Sequence, residues 1–156
     1  MTSLCSKLLK ALNGRTFSTA ESCTGGGIGA AFTAVPGSSA VYKGGVICYT
    51  NWVKENVLGV NGNLLQQKGA VTEETALQMA VGVRNLMGTT MAVSVTGIAG
   101  PGSDEFSTPV GTVYIGYADE AHSFARKYFF TGDRDSVRRS AIEAAIHLLI
   151  DACEDK

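Results

Sequence analysis

Glycine placement constrains this chain more than any other feature. Nineteen glycines stand against three prolines in 156 residues. They crowd at residues 25–29, at Gly44 and Gly45, and at residues 97–102, so collagen-like and low-complexity readings fail. Two of these clusters directly follow short runs of β-formers, residues 16–20 and 91–96. A glycine-rich segment leaving a strand and opening a helix is the signature of an open α/β sheet, whose ligand crevice lies at the carboxyl ends of the strands.

The rest of the chain supports that class. Leu4, Leu8 and Leu12 recur at helical spacing and stop at Asn13-Gly14. Residues 28–35 read as a small-residue helix ended by Pro36, and residues 44–50 as a buried strand. Asn51 caps a short helix carrying Lys54. Thr72 opens a helix with Glu73 and Glu74 in its first turn, Ala76, Ala80, Val83 and Met87 on its apolar stripe, and Gly88 at its stop. Residues 110–118 and 124–131 read as a strand pair around Asp119-Glu120. Asp133 caps a last helix striped by Val137, Ala141, Ala145 and Leu148. Alternation in the first two thirds predicts parallel strands with right-handed crossovers. The expected fold is one domain over residues 1–156: an α/β class, three-layer α/β/α sandwich with a mixed, mainly parallel sheet and a late antiparallel hairpin.

Charge and composition exclude several functions. Thirteen basic and fourteen acidic residues give a net charge of −1, without the basic footprint of a nucleic-acid binder. Apolar residues make up 45% and charged ones 17%, which argues against disorder. Four scattered cysteines, no CxxC pair and two histidines suggest neither a zinc site nor a disulfide scaffold. No signal peptide or apolar run of membrane-spanning length is present, so the expected setting is a reduced cytoplasm.

The densest chemical candidate is Thr19-Ala-Glu-Ser-Cys-Thr-Gly-Gly-Gly-Ile-Gly. Backbone N–H groups at such a helix start can bind phosphate or a developing oxyanion, or the glycines simply serve a tight turn and close helix packing. Named glycine motifs do not fit: counting from Gly27, a dinucleotide fingerprint would end on Phe32, and GxxxxGK[ST] and GxSxG do not occur. His122 and His147 adjoin no glycine-rich loop and read as surface or packing residues. Lysine can replace histidine as a base when desolvation lowers its pKa. Lys54 can therefore share a crevice with Ser22, or be a solvated helix lysine, and Tyr49 alone reads as a strand core residue. Thr96-Gly-Ile-Ala-Gly-Pro-Gly is either the opposite pocket wall or a flexible connection. Arg134, Arg138 and Arg139 open the last helix, where a bound anion would offset their unfavourable place in the dipole.

Several ordered motifs together resemble the CinA C-terminal domain family. They are Thr19-Ala-Glu-Ser-Cys-Thr-Gly-Gly, Tyr42-Lys-Gly-Gly-Val-Ile-Cys-Tyr-Thr-Asn, Lys54 before Leu58-Gly-Val, Val95-Thr-Gly-Ile-Ala-Gly-Pro-Gly, Pro109-Val-Gly-Thr-Val and Thr131-Gly-Asp-Arg. The resemblance covers nearly the whole chain and suggests the standalone form, without the extra N-terminal domain of longer members. It implies metal-free hydrolysis of nicotinamide mononucleotide to nicotinic acid mononucleotide and ammonia, with no cofactor and with a homo-oligomeric assembly. On matching positions it implies Ser22 as nucleophile, Lys54 as general base and Tyr49 as a supporting hydrogen-bond group. Beside these, the expected substrate contacts are backbone amides across Cys23, Thr24, Gly25 and Gly26, with the Thr24 hydroxyl helping at the oxyanion. Thr96, Gly97, Gly100 and Arg138 are the expected phosphate site. The chain departs from the family pattern at Ser103-Asp-Glu-Phe-Ser-Thr, where further glycines and a Thr-Pro-Glu-Lys-like stretch are usual. That departure sustains the competing reading, a non-catalytic nucleotide-binding module.

Overall fold

The computed structural model describes residues 1–155. Its elements in chain order are α1 (Thr2–Leu12), β1 (Phe17–Glu21), α2 (Gly27–Thr33), a 3-10 turn (Ser38–Ala40), β2 (Tyr42–Ile47), α3 (Asn51–Asn56), α4 (Gly62–Lys68), α5 (Glu73–Met87), β3 (Met91–Gly97), β4 (Thr112–Asp119), β5 (Ser123–Phe129) and α6 (Arg134–Glu154). Most helix signals act as the local chemistry requires, but Asn51 is the first helical residue of α3 and not its cap, which is Thr50 without a side-chain hydrogen bond. Asn13 takes a left-handed conformation and ends α1. The Thr72 hydroxyl accepts from the Thr75 N–H at 3.1 Å to start α5, and the Asp133 carboxylate accepts from the Ser136 N–H at 2.9 Å to start α6.

The five strands form one sheet in the order β2-β1-β3-β4-β5. β1 pairs in parallel with β2 and β3, while β4 runs antiparallel to both β3 and β5, so only β4 points the other way. The fold is α/β and fits the expected three-layer sandwich. One face buries Leu8, Leu12, Phe17, Phe32, Ile115, Ile146 and Leu149 beneath α1, α2 and α6. The other buries Ala20, Cys48, Leu58, Met79, Val83 and Ala92 beneath α5 and the α3–α4 region. No helix among the described residues is long and apolar enough to cross a membrane.

Two local expectations are corrected. The second strand covers Tyr42–Ile47 rather than residues 44–50, and it lies at the sheet edge with alternating half-buried and exposed side chains. It is therefore not a buried strand, and residues 48–50 leave the sheet, which places Tyr49 outside the core. Helix α4 was not expected from the pattern. It is only seven residues long and begins where the Asn61 side chain accepts from the Leu64 N–H.

Register brings three chain crossings to one place. Glu21 is aligned with Ile47 on one side and Val95 on the other. The Ser22 N–H donates to the Val95 carbonyl at 2.9 Å, and the Cys48 N–H donates to the Glu21 carbonyl at 3.0 Å. The segments after β1, β2 and β3 thus leave the sheet side by side, as parallel strands require.

Candidate active site

Ser22 is the first residue past β1. The turn that carries it closes with the Gly25 N–H donating to the Ser22 carbonyl at 3.0 Å and the Gly27 N–H donating to Thr24 at 2.9 Å. Gly25 and Gly26 hold φ of 59° and 98°, the left-handed region that a side chain disfavours. Both glycines are needed for the chain to reverse this tightly between strand and helix.

The start of α2 does not face the cleft unpaired, contrary to the expectation of a free anion-binding helix end. The Glu21 carboxylate, 2% exposed, sits there instead. It accepts from the Ile28 N–H at 2.8 Å, the Gly29 N–H at 3.1 Å and the Thr19 hydroxyl at 3.3 Å. It also accepts from the Thr24 hydroxyl at 2.7 Å, so the Thr24 proton expected at an oxyanion is already committed. From α6, Arg138 donates to the carbonyls of Cys23 at 3.0 Å and Thr24 at 3.2 Å. Arg138 braces the turn through these two bonds and is not among the residues lining the cleft. The Cys23 thiol is packed, and burial pushes its pKa up to about 11, so it stays protonated near neutrality.

Lys54 reaches the same point from α3. The side chain is 1% exposed, and its Nζ donates to Ser22 Oγ at 3.0 Å and to the Cys48 carbonyl at 2.7 Å. Burial holds the ammonium pKa below its usual 10.5, because the charged form loses hydration. Lys54 has two oxygen partners and, among the described residues, no carboxylate within ion-pair distance to oppose that loss. A buried amine against a serine hydroxyl can act as a base towards it.

Tyr49 is exposed, and its phenolic oxygen accepts from Arg134 at 3.3 Å. The phenolic proton remains free to be donated into the cleft. Arg134 also donates to the Gly100 carbonyl at 2.7 Å, tying α6 to the loop after β3. The Thr96 hydroxyl is committed to the Ala70 carbonyl at 3.0 Å.

The cleft has two lobes that share Ser22, Tyr49, Gly97 and Ile98. One, about 300 Å³, continues past Lys54 to Asn51, Thr96, Val71 and the loop bearing Asp104, Glu105 and Phe106. The other, about 270 Å³, runs past Cys23 to Gly100, Gly102 and Arg134. Ser22, Lys54, Tyr49, Cys23, Thr96, Gly97 and Gly100 therefore converge on it, while Thr24, Gly25, Gly26 and Arg138 build its supporting turn. His122 and His147 line neither lobe. No group of three or more His, Cys, Asp or Glu suited to a metal exists among the described residues. The pattern missed the role of Glu21, and it offered Arg134 only together with Arg138 and Arg139. Arg134 is one helical turn from Arg138, and spacing alone does not say which of the two reaches the crevice.

A model of the CinA C-terminal domain matches residues 1–153. The chain belongs to the CinA C-terminal domain family. It is 49% identical over 152 residues to a CinA-like protein of a Cyanothece species, and 48% identical over 139 residues to one of Rippkaea orientalis. These matches cover 94% and 86% of this chain but only 36% and 33% of the relatives, so the chain spans about a third of their length. Its fold matches a CinA superfamily crystal structure from Klebsiella pneumoniae with a TM-score of 0.95 at 32% identity, covering 99% of this chain and 98% of that one. A competence/damage inducible protein of Agrobacterium tumefaciens matches with a TM-score of 0.92 at 37% identity, over 98% and 94% of the two chains.

Proposed function

We propose that this chain is an amidohydrolase that converts nicotinamide mononucleotide to nicotinic acid mononucleotide and ammonia, with Ser22 as nucleophile and Lys54 as its base. The observation that carries the reading is the buried Lys54 amine 3.0 Å from Ser22 Oγ, with its pKa lowered by desolvation. The family resemblance supplies the substrate.

In the neutral form of Lys54 the Ser22 hydroxyl donates to Nζ. As Oγ attacks the carboxamide carbon, Nζ takes the serine proton and becomes an ammonium. The N–H of Cys23, next to the nucleophile, and the backbone across the cleft at residues 99–100 stabilise the oxyanion. The tetrahedral species collapses with breakage of the C–N bond. Lys54 delivers its proton to the leaving nitrogen, which the Tyr49 hydroxyl holds, and ammonia departs. Water then attacks the Ser22 ester while Lys54 takes its proton; the acid leaves and Ser22 recovers its hydrogen. The cationic pyridinium draws electrons from the carbonyl and disfavours an ammonium beside it, so both effects assist the attack.

With Arg138 committed to the turn, the phosphate falls to Arg134 and the backbone around Gly97 and Gly100. Neither metal nor nucleic acid is needed, and the working form is taken to be a homo-oligomer in the cytoplasm. An ammonia-release assay with nicotinamide mononucleotide, nicotinamide and glutamine tests the reading. Release from the mononucleotide ahead of both others supports it. Binding of the mononucleotide with no release from any of the three leaves a non-catalytic nucleotide-binding module.

A further inference from the structure

The two lobes of the cleft carry opposite charge. Beyond Ser22, the Lys54 lobe is walled by Asp104 and Glu105, and Lys54 itself is the only basic side chain among its described lining residues. The other lobe has Arg134 and no acidic side chain among its described lining residues. Neither loop carboxylate has a cationic partner among the described residues. Asp104 is spent on the loop's own backbone: it accepts from the N–H of Phe106 at 3.1 Å, the N–H of Thr108 at 3.0 Å and the Thr108 hydroxyl at 2.8 Å. Ser103 Oγ donates to the Thr108 carbonyl, closing the same loop. Phe106 seats its ring on Gly69, where an added Cβ would come within 2.7 Å of the ring. The loop is thus pinned at both ends, and Glu105 is the exposed charge left facing the lobe.

We propose that Glu105, on the loop braced by Asp104 and Phe106, is a specificity-determining residue that selects a positively charged ring on the amide substrate. A flat cation placed against Phe106 and Tyr49 gains from their ring faces as well as from the carboxylate. A ligand that also carries an anion lies with that group in the Arg134 lobe, so the cleft favours a zwitterion over a neutral amide of the same size. The inference rests on the amidase reading for the identity of the reacting group, but the charge preference is a binding property and is measured without turnover.

The experiment uses the Ser22→Ala chain and two probes differing by one methyl group and one charge, the N1-methylnicotinamide cation and neutral nicotinamide, with affinities taken by calorimetry. The cation is expected to bind several-fold more tightly at low salt, and the preference to shrink in concentrated sodium chloride. Glu105→Gln in that background should reduce the cation-to-neutral ratio about three- to fivefold. Glu105→Lys should carry it below one. Among the described residues Glu105 has no hydrogen-bond partner that either change removes, and a thermal melt checks the fold. No preference for the cation, or one that neither variant changes, overturns the proposal. If the preference behaves as expected and the unmodified chain releases no ammonia, the amidase reading fails and this one stands. If ammonia is released and the ratio is unmoved, the reverse holds.

Discussion

The turn after β1 and the loop after β3 are both glycine-rich and both leave the carboxyl end of adjacent parallel strands, yet they are built on opposite plans. In the first, nearly every polar group has an internal partner: Glu21 satisfies two amides and two hydroxyls, Arg138 satisfies two carbonyls, and Gly25 and Gly27 close the backbone. Ser22 is held in one place by this network. The second is held by Asp104 on its own backbone and by Phe106 against Gly69, and it presents Glu105 and Phe106 to the cleft with more than a third of the Phe106 surface in water. The comparison separates two jobs. Chemistry that needs a nucleophile and a base within hydrogen-bond reach is carried by the over-determined turn, and choice among substrates is left to the segment that can vary at little cost to the fold.

Substitutions in the turn should therefore act on kcat, and those in the loop on KM. The largest effect is expected for Ser22→Ala, a loss of about a thousandfold or more in turnover with the dissociation constant of the mononucleotide nearly unchanged. A variant that keeps its turnover removes serine catalysis from the account. Lys54→Met comes next, at about a hundredfold or more. In the unmodified chain kcat should rise with pH as Lys54 loses its proton, with a midpoint below 10.5, and that limb should vanish in the variant.

The same residue gives a stability signature of definite sign. With the folded pKa depressed, burial of the charged ammonium costs most at low pH, and the cost is relieved as pH rises from the folded pKa towards the unfolded value. The Tm of Lys54→Met relative to the unmodified chain should thus be most favourable in acid and decline with increasing pH in that window. Parallel melting curves across it would leave Lys54 with an ordinary pKa.

Glu21→Ala tests whether the turn is rigid because of its carboxylate. Loss of a buried acceptor should leave two amides and the Thr24 hydroxyl short of a partner, while Thr19 keeps Tyr42, and cost about 1–3 kcal/mol in chemical denaturation. Turnover should fall with KM little changed. Asp104→Ala probes the loop in the same way and is expected to be mild, within about 1 kcal/mol, with the change confined to KM. A large kcat effect from Asp104→Ala would erase the distinction between the two segments.

Much of this was readable before the fold was known, and the reasons differ by element. Helices α5 and α6 carry a polar cap and a long apolar stripe, and β3 is a continuous apolar run of the kind a central strand needs, so local pattern and tertiary place agree. The edge position of β2 was not readable, because burial of Val46 and Ile47 depends on having a neighbour on both sides. Helix α4 offers two leucines and one cap, too little periodicity to register. At the site, motif order led to Ser22, Lys54 and Tyr49, but residue spacing alone does not say that Lys54 is buried. The role of Glu21 is not legible in the sequence, because the amides it serves lie seven and eight residues ahead, on the far side of a left-handed turn.

Ser22 catalysis depends, in this mechanism, on priming by the buried neutral amine of Lys54. The most direct test of that priming is the rate at which a small fluorophosphonate labels Ser22, followed by mass spectrometry as a function of pH, in the unmodified chain and in Lys54→Met. Labelling is expected at Ser22 alone, with a rate that climbs along a single titration below the ordinary lysine pKa and collapses in the variant. Equal labelling rates in the two proteins at every pH would contradict it.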